Sequence, residues 1–363
     1  MHSKWISDLT AETPVADAAR RVLTFRFEAV RDCLGRALRE EKQLTERIHE
    51  LRVATRRAGA ALDVFSQCLP RKAYKSGRRH MRGLRRAAGE ARDWDVLISR
   101  LMKEAEAIAP EDRAGIDMLV GYAIAHRIPS QARLEKASPD YPFGFERFMA
   151  ATIGAIRYKG LGRNTLAGFA RPILASMLDR LNDAAACERG RDYEHLHKVR
   201  IAGKRLRYAM EIFVDCFGPA LRRELCPAVA EMQQILGEVN DHYTAARRYT
   251  ALDEKFRLCL PTGYARYQPA ITRMIRHHDA EMPAGRQRFH LWREKWQQPE
   301  FQAAIVELCS PESLECQHVY AGKGPTIADT APAAPRVSAL DSRPHEPTPH
   351  VAAPVELPTA RSA

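Results

Sequence analysis

Ile48-His-Glu-Leu-Arg-Val-Ala-Thr-Arg-Arg57 returns as Leu196-His-Lys-Val-Arg-Ile-Ala-Gly-Lys-Arg205, 148 residues later and without a gap. In this register His49 meets His197, Arg52 meets Arg200, Arg56 meets Lys204 and Arg57 meets Arg205. Phe65 and Cys68 meet Phe213 and Cys216. About 40 residues after each His the register still holds, with Gly89-Glu-Ala-Arg-Asp93 over Gly237-Glu-Val-Asn-Asp241. Two separate motifs in a single register make an internal duplication. A repeat of this length predicts two related helical bundles packed about a pseudo-two-fold axis.

Helical periodicity runs through nearly the whole chain. Segments 15–44, 45–68, 76–108, 111–127, 144–157, 166–187, 193–217, 220–236, 241–258, 264–279 and 284–297 are predicted helices, rich in Ala, Leu, Arg and Glu. No run of alternating β-branched residues argues for a strand, so the fold class is all-α. Breakers at Leu69-Pro70, Ser138-Pro139, Gly160-Leu161-Gly162 and Gly218-Pro219 separate the segments. The two copies are expected at 15–140 and 160–305. Residues 321–363 hold eight of the 22 prolines and no apolar stripe. That Pro/Ala-rich segment is expected to be a disordered tail.

Helix geometry assigns a role to each face of the repeated motif. At about 100° per residue, Arg56 falls about 20° and Arg52 about 60° from His49. Leu51, Ala54, Ala58, Ala61, Leu62 and Phe65 fall on the opposite side. The second copy places His197, Arg200, Lys204, Arg207 and Tyr208 on one face and Val199, Ala202, Leu206, Met210 and Phe213 on the other. Each helix therefore has a core face and a cationic face with His in line. Acidic partners at i+4 are sparse on the cationic face, where only Asp63 and Glu211 lie farther along, whereas an ordinary solvated surface mixes signs more evenly.

The chain carries 57 Lys plus Arg against 45 Asp plus Glu, a formal charge of +12 that favours a polyanionic partner. Much of the excess lies in residues 71–89, which contain no acidic residue. There Arg78, Arg82, Arg85 and Arg86 form one helical stripe, with Arg79 beside it. The equivalent stretch of the second copy is far less basic, so the first copy is expected to dominate anion binding. Asp93 and Asp241, set in these basic surroundings, are expected to sit near a helix bend and to orient an Arg or cap a terminus.

Several classes are disfavoured. None of the eight cysteines forms a Cys-x-x-Cys pair, which argues against a zinc site and a disulfide framework and for buried free thiols in a reducing compartment. The N-terminus has no apolar core of a signal peptide, and no stretch of 18 apolar residues could span a membrane, so a cytoplasmic location is expected. There is no Gly-rich phosphate loop and no His/Asp/Glu cluster at metal-ligand spacing. No metal, cofactor or catalytic residue is expected.

The pattern His-x-x-Arg-x-x-x-Arg/Lys-Arg, followed after a helix by Gly-x-x-x-Asp and then all repeated, resembles the CHAD family (conserved histidine α-helical domain). The matching residues are His49, Arg52, Arg56, Arg57 and Asp93, then His197, Arg200, Lys204, Arg205 and Asp241. The resemblance covers about residues 15–305. It implies one all-α domain of two pseudo-symmetric four-helix-bundle-like halves around a basic central groove. It also implies binding of inorganic polyphosphate and, in some bacterial members, association with polyphosphate or polyester granules. The Glu-x-Glu-x-Lys mark of the triphosphatase domain often fused to such domains is absent. The second copy departs from the basic pattern at Asn240 and His242, where the first has Arg92 and Trp94.

The leading expectation is thus a non-catalytic polyphosphate binder. Its expected contacts are His49, Arg52, Arg56, Arg57, Arg78, Arg79, Arg82, Arg85, Arg86, His197, Arg200, Lys204, Arg205 and Arg207. Rows of Arg at helical pitch suit phosphate oxygens, and no aromatic residue interleaves the basic run to stack on bases. Two alternatives remain. One is a phosphohydrolase or phosphotransferase using His49 or His197. The other is a nucleic-acid binder, against which stands the lack of any zinc finger, RNP-like motif or helix-turn-helix spacing.

Overall fold

The computed structural model describes residues 3–6, 8–39, 43–106, 109–157, 165–186 and 192–310, so the predicted tail lies outside them. Ten α-helices appear in the described residues: α1 Val15–Arg39, α2 Leu44–Val64, α3 Arg71–Ala105, α4 Arg113–Lys136, α5 Phe143–Gly154, α6 Leu166–Ala186, α7 Tyr193–Phe213, α8 Cys226–Cys259, α9 Tyr264–Trp296 and α10 Pro299–Cys309. Among those residues there is no strand, only an isolated bridge between Pro14 and Thr165.

The duplication is visible in the element order. Helices α1 to α4 pack each on the next, and α6 to α9 repeat that order. Across the repeats α1 meets α6, α2 meets α7 and α4 meets α9, which is the pairing a pseudo-two-fold axis demands. Phe65 and Phe213, equivalent by sequence, meet edge to face with centroids 6.3 Å apart, and Phe169 stacks on Phe65. Helix α5 packs on α1 and α10 on α6. Neither of the predicted repeat ranges included α5.

The core divides by height rather than by copy. One apolar cluster joins α1, α2 and the first part of α3 to α6, α7 and the first part of α8. A second joins the far ends of α3 and α8 to α4 and α9, around Leu101, Leu119, Tyr249 and Ile271. Each copy contributes to both clusters. The unit also extends past both predicted limits, because Ile6 and Leu9 before residue 15 and Leu308 after residue 305 are buried.

Several predicted breaks are absent, and burial accounts for this. Segments 220–236 and 241–258 are one rod, a short π-turn at Leu221–Leu225 leading into α8. Gly237 in its middle costs about 1 kcal/mol relative to Ala. Met232, Leu236, Val239 and Tyr249 are buried on either side of it and offset that cost. Segments 264–279 and 284–297 are likewise one helix, α9, which runs through Pro269 and Pro283. An interior proline costs about 3 kcal/mol. Beyond Pro283, burial of Phe289, Trp292 and Trp296, each contributing about 1.5–3 kcal/mol, holds the helix to its neighbours. Trp292 Nε1 donates to the Ala228 carbonyl at 2.8 Å. At Gly285 a Cβ would run into Val239, so glycine lets α9 lie close on α8. Helix α3 starts earlier than predicted, at Arg71, and α4 runs on through Pro129 to Lys136.

Cys33, Cys68 and Cys216 are buried thiols, as expected, and burial pushes Cys68 and Cys216 up to about 12. Cys259 is exposed, against the expectation. Cys187 and Cys316 lie outside the described residues.

Candidate functional site

Helices α2 and α7 lie side by side at the pseudo-axis and carry the repeated motif. In the first copy Arg52 is fixed from α3: its Nη1 donates to the Gly89 carbonyl at 2.7 Å and to Asp93 Oδ1 at 3.1 Å. Asp93 thus holds an Arg. It does so from the middle of α3, and Asp241 likewise lies inside α8, so neither caps a helix terminus.

Arg56 joins the two copies. Its charge acts on Arg52 and Arg85 of its own half and on Arg200 and Lys204 of the other. Among the described residues no carboxylate forms an ion pair with Arg56, Arg85, Arg200 or Lys204. Arg200 Nε is buried without a partner. Burial, then Arg200 and Arg56, drives Lys204 down to about 6. Burial, followed by Arg56, lowers Arg85. Burial also lowers Arg200, with Asp241 opposing. Such shifts mark cations gathered faster than counter-charge, and an anion entering among them would relieve the mutual repulsion.

Both motif histidines border this cluster as neutral rings. Burial, then Arg92, lowers His49, and burial, then Arg200, lowers His197. His197 Nδ1 lies 3.3 Å from the Tyr193 hydroxyl, which donates to Asn240 Oδ1 at 3.0 Å and belongs to a ring stacked on Tyr243. His49 has Arg92 at the place that Asn240 holds for His197. A neutral imidazole can donate one hydrogen bond to phosphate while adding no charge.

The rest of the expected contact set separates into two groups. Arg57 is engaged across the repeat boundary: its Nε donates to Glu211 Oε2 at 2.8 Å, and Arg207 lies 3.8 Å from the same carboxylate. At the mirrored place Asp63 accepts from Arg78 Nε at 2.9 Å and from Tyr74 at 2.8 Å, and the Arg205 charge acts on it as well. Burial outweighs these and raises Asp63. Arg57, Arg78, Arg205 and Arg207 therefore neutralise the two carboxylates that lie on the cationic faces. Arg79, Arg82 and Arg86 are exposed along α3, and the Arg82 charge acts on Arg85.

Two contacts were not anticipated. Arg248 Nη1 donates to the Asp93 carbonyl at 2.9 Å, and Arg100 Nη1 donates to the Asp241 carbonyl at 3.2 Å. Each Arg stands seven residues after the Asp of its own copy and reaches the Asp of the other. Arg248 also lies over the Trp94 ring at 3.8 Å. The signal was available, since Arg100 and Arg248 keep the same 148-residue register.

The CHAD-domain profile matches residues 21–250, which spans both motifs and more than half of the chain. The chain belongs to the CHAD family. A CHAD domain from the plant Ricinus communis superimposes with a TM-score of 0.59 at 21% identity, covering 85% of this chain and 96% of that one. PptA from Streptomyces chartreusis superimposes with a TM-score of 0.61 at 18% identity, covering 79% and 100%. At these identities the two structures share the CHAD fold. No curated protein sequence matches the chain significantly. Among the described residues of this CHAD protein, no three His, Cys, Asp or Glu side chains converge as a metal-binding group, and no helix is long and apolar enough to cross a membrane.

Proposed function

We propose that this CHAD protein binds inorganic polyphosphate, without catalysis, in the basic groove between α2 and α7. The observation that carries this reading is the Arg56 cluster, in which Arg52, Arg85, Arg200 and Lys204 approach from both copies with less counter-charge than cation. A chain of phosphates brings regularly spaced charge and no bases, which matches rows of guanidinium groups at helical pitch. Its binding releases the repulsion stored among those groups.

Titration of the full chain with long-chain polyphosphate tests the reading. Changing Arg52, Arg56, Arg200 and Lys204 together to Glu abolishes binding, and wild-type affinity weakens steeply with salt. Unchanged affinity in that variant overturns it. The polyphosphate recovered after incubation keeps its length, and a phosphate release that depends on His49 or His197 would restore the enzyme alternative. Duplex DNA at matched charge competes poorly. Recruitment to polyphosphate or polyester granules is the finer proposal, supported by the family resemblance, and co-sedimentation with isolated granules checks it.

A further inference from the structure

Positions 94 and 242 are equivalent in the two copies, and they carry different chemistry. The first copy has Trp94, on which Arg248 lies. The second has His242, whose Nδ1 is 3.0 Å from Nδ1 of His278 on α9. His278 is only 1% exposed, stacks on Tyr249 with centroids 5.6 Å apart, and leaves its Nε2 without a partner. His277 stands beside it, ring centroids 5.1 Å apart, with Nε2 3.7 Å from Glu104.

The charged and titratable groups around the pair come from three helices. Arg100 and Glu104 face it from α3, Asp241 and Tyr249 from α8, and His277 and Glu281 from α9. Arg273 and Arg276 share with His277 a shallow cavity of about 530 Å³. Arg100 is also the residue that reaches the Asp241 carbonyl.

The contact between the two Nδ1 atoms needs one donor and one acceptor. Two neutral rings satisfy it. A charge on His278 would be buried beside Arg100, and protonation of both rings would set two N–H groups face to face. Burial, then Arg100, holds His278 down to about 3, and the same two causes lower His242. The closed arrangement therefore refuses protons that freely solvated histidines accept below about pH 6.5. Each refused proton weakens the closed form by about tenfold per pH unit below that value.

We propose that the His242–His278 pair is a proton-sensitive latch between α8 and α9, which on acidification lets go of the Arg100–Asp241 contact and loosens the second wall of the groove. The link to the groove runs through Asp241, whose charge supports Arg200 and Lys204. That consequence rests on the polyphosphate reading, whereas the latch does not.

Hydrogen exchange of the full chain at pH 7.5 and 5.5, corrected for the intrinsic rate, tests it with His278→Phe and His242→Trp. The first variant keeps a flat ring against Tyr249 and cannot titrate. The second installs the residue that the other copy carries, at a partly exposed place, and stays informative if the first fails to fold. In wild type the opening of α8 and α9 peptides around residues 242–278 rises about tenfold at pH 5.5. In His278→Phe it changes less than twofold, while His242→Trp, which keeps the buried His278, still rises about tenfold. A flat response in His242→Trp, a change in His278→Phe that parallels wild type, or none in wild type, overturns the latch. Polyphosphate added at pH 5.5 restores protection in wild type. If polyphosphate binds and protection stays low, the link to the groove is overturned. If polyphosphate binds at neither pH, the functional reading fails while the comparison of variants still decides the latch.

Discussion

Arg248 Nη1 donates to the Asp93 carbonyl at 2.9 Å, and Arg100 makes the mirrored bond to Asp241 at 3.2 Å. These reciprocal contacts tie the end of each copy's groove wall to the other copy. They are unequal, because Arg248 also rests on Trp94 while Arg100 has a histidine in that place. A charged hydrogen bond contributes about 1.5–3 kcal/mol and the cation–π contact about 0.5–2 kcal/mol. Arg248→Met should therefore destabilise the protein by about 1 kcal/mol more than Arg100→Met, measured by urea unfolding at pH 7.5. Equal losses would mean that the Trp94 contact adds nothing.

Arg57 is engaged within the fold by Glu211. Its carboxylate partner, Glu211, is 6% exposed, and Arg57 itself is 18% exposed. Removing one member of such a pair costs about 3–5 kcal/mol, because the other charge stays buried and unpaired. Arg57→Ala should lower the unfolding midpoint sharply, and at a temperature where it is folded it should bind polyphosphate within a few-fold of wild type. A large loss of affinity in the folded variant would return Arg57 to the binding set.

Lys204 couples binding to protons. Held down at about 6, it is mostly neutral at pH 7.5 in the free protein, and a bound polyanion raises it again. Binding at pH 7.5 should therefore take up close to one proton, read by calorimetry in buffers of different ionisation heat. Through Lys204, affinity falls as pH rises from about 6 toward the bound-state value. Lys204→Met should remove the proton uptake and weaken binding.

The same shift has a stability consequence. The folded-state value lies below the unfolded one, so between the two the unfolded chain holds more protons and stability rises with pH. Lys204→Met should stabilise the free protein near neutrality by on the order of 1 kcal/mol while binding suffers. Thermal unfolding of both proteins at pH 7.5 checks this, and a lower midpoint in the variant contradicts it.

Helical periodicity and the lack of strand patterning carried the all-α class, and the duplication carried the two related bundles. Within the motifs, periodicity put His49, Arg52 and Arg56 on one face correctly. What it could not supply was which faces meet. Arg57 and Glu211 are 154 positions apart, on helices that touch only because α2 and α7 flank the pseudo-axis. Asp63 and Glu211 were visible in the sequence as the two acids on the basic faces, but the Arg residues that pair with them were not. The predicted breaks at residues 236–241 and 279–284 failed for a different reason. Gly237 and Pro283 are local costs, whereas the burial of Val239, Tyr249, Phe289 and Trp292 is a tertiary gain that no local window contains.

The central claim is that a cluster built from both copies, rather than net charge, holds the anion. The direct measurement compares two variants that each lose two positive groups: Arg56→Gln with Lys204→Gln, and Arg79→Gln with Arg86→Gln. Polyphosphate affinity is measured at one salt concentration below pH 6, where Lys204 is charged. The account predicts a loss of about a hundredfold or more for the first pair and less than about threefold for the exposed pair. Equal losses in the two variants would contradict it.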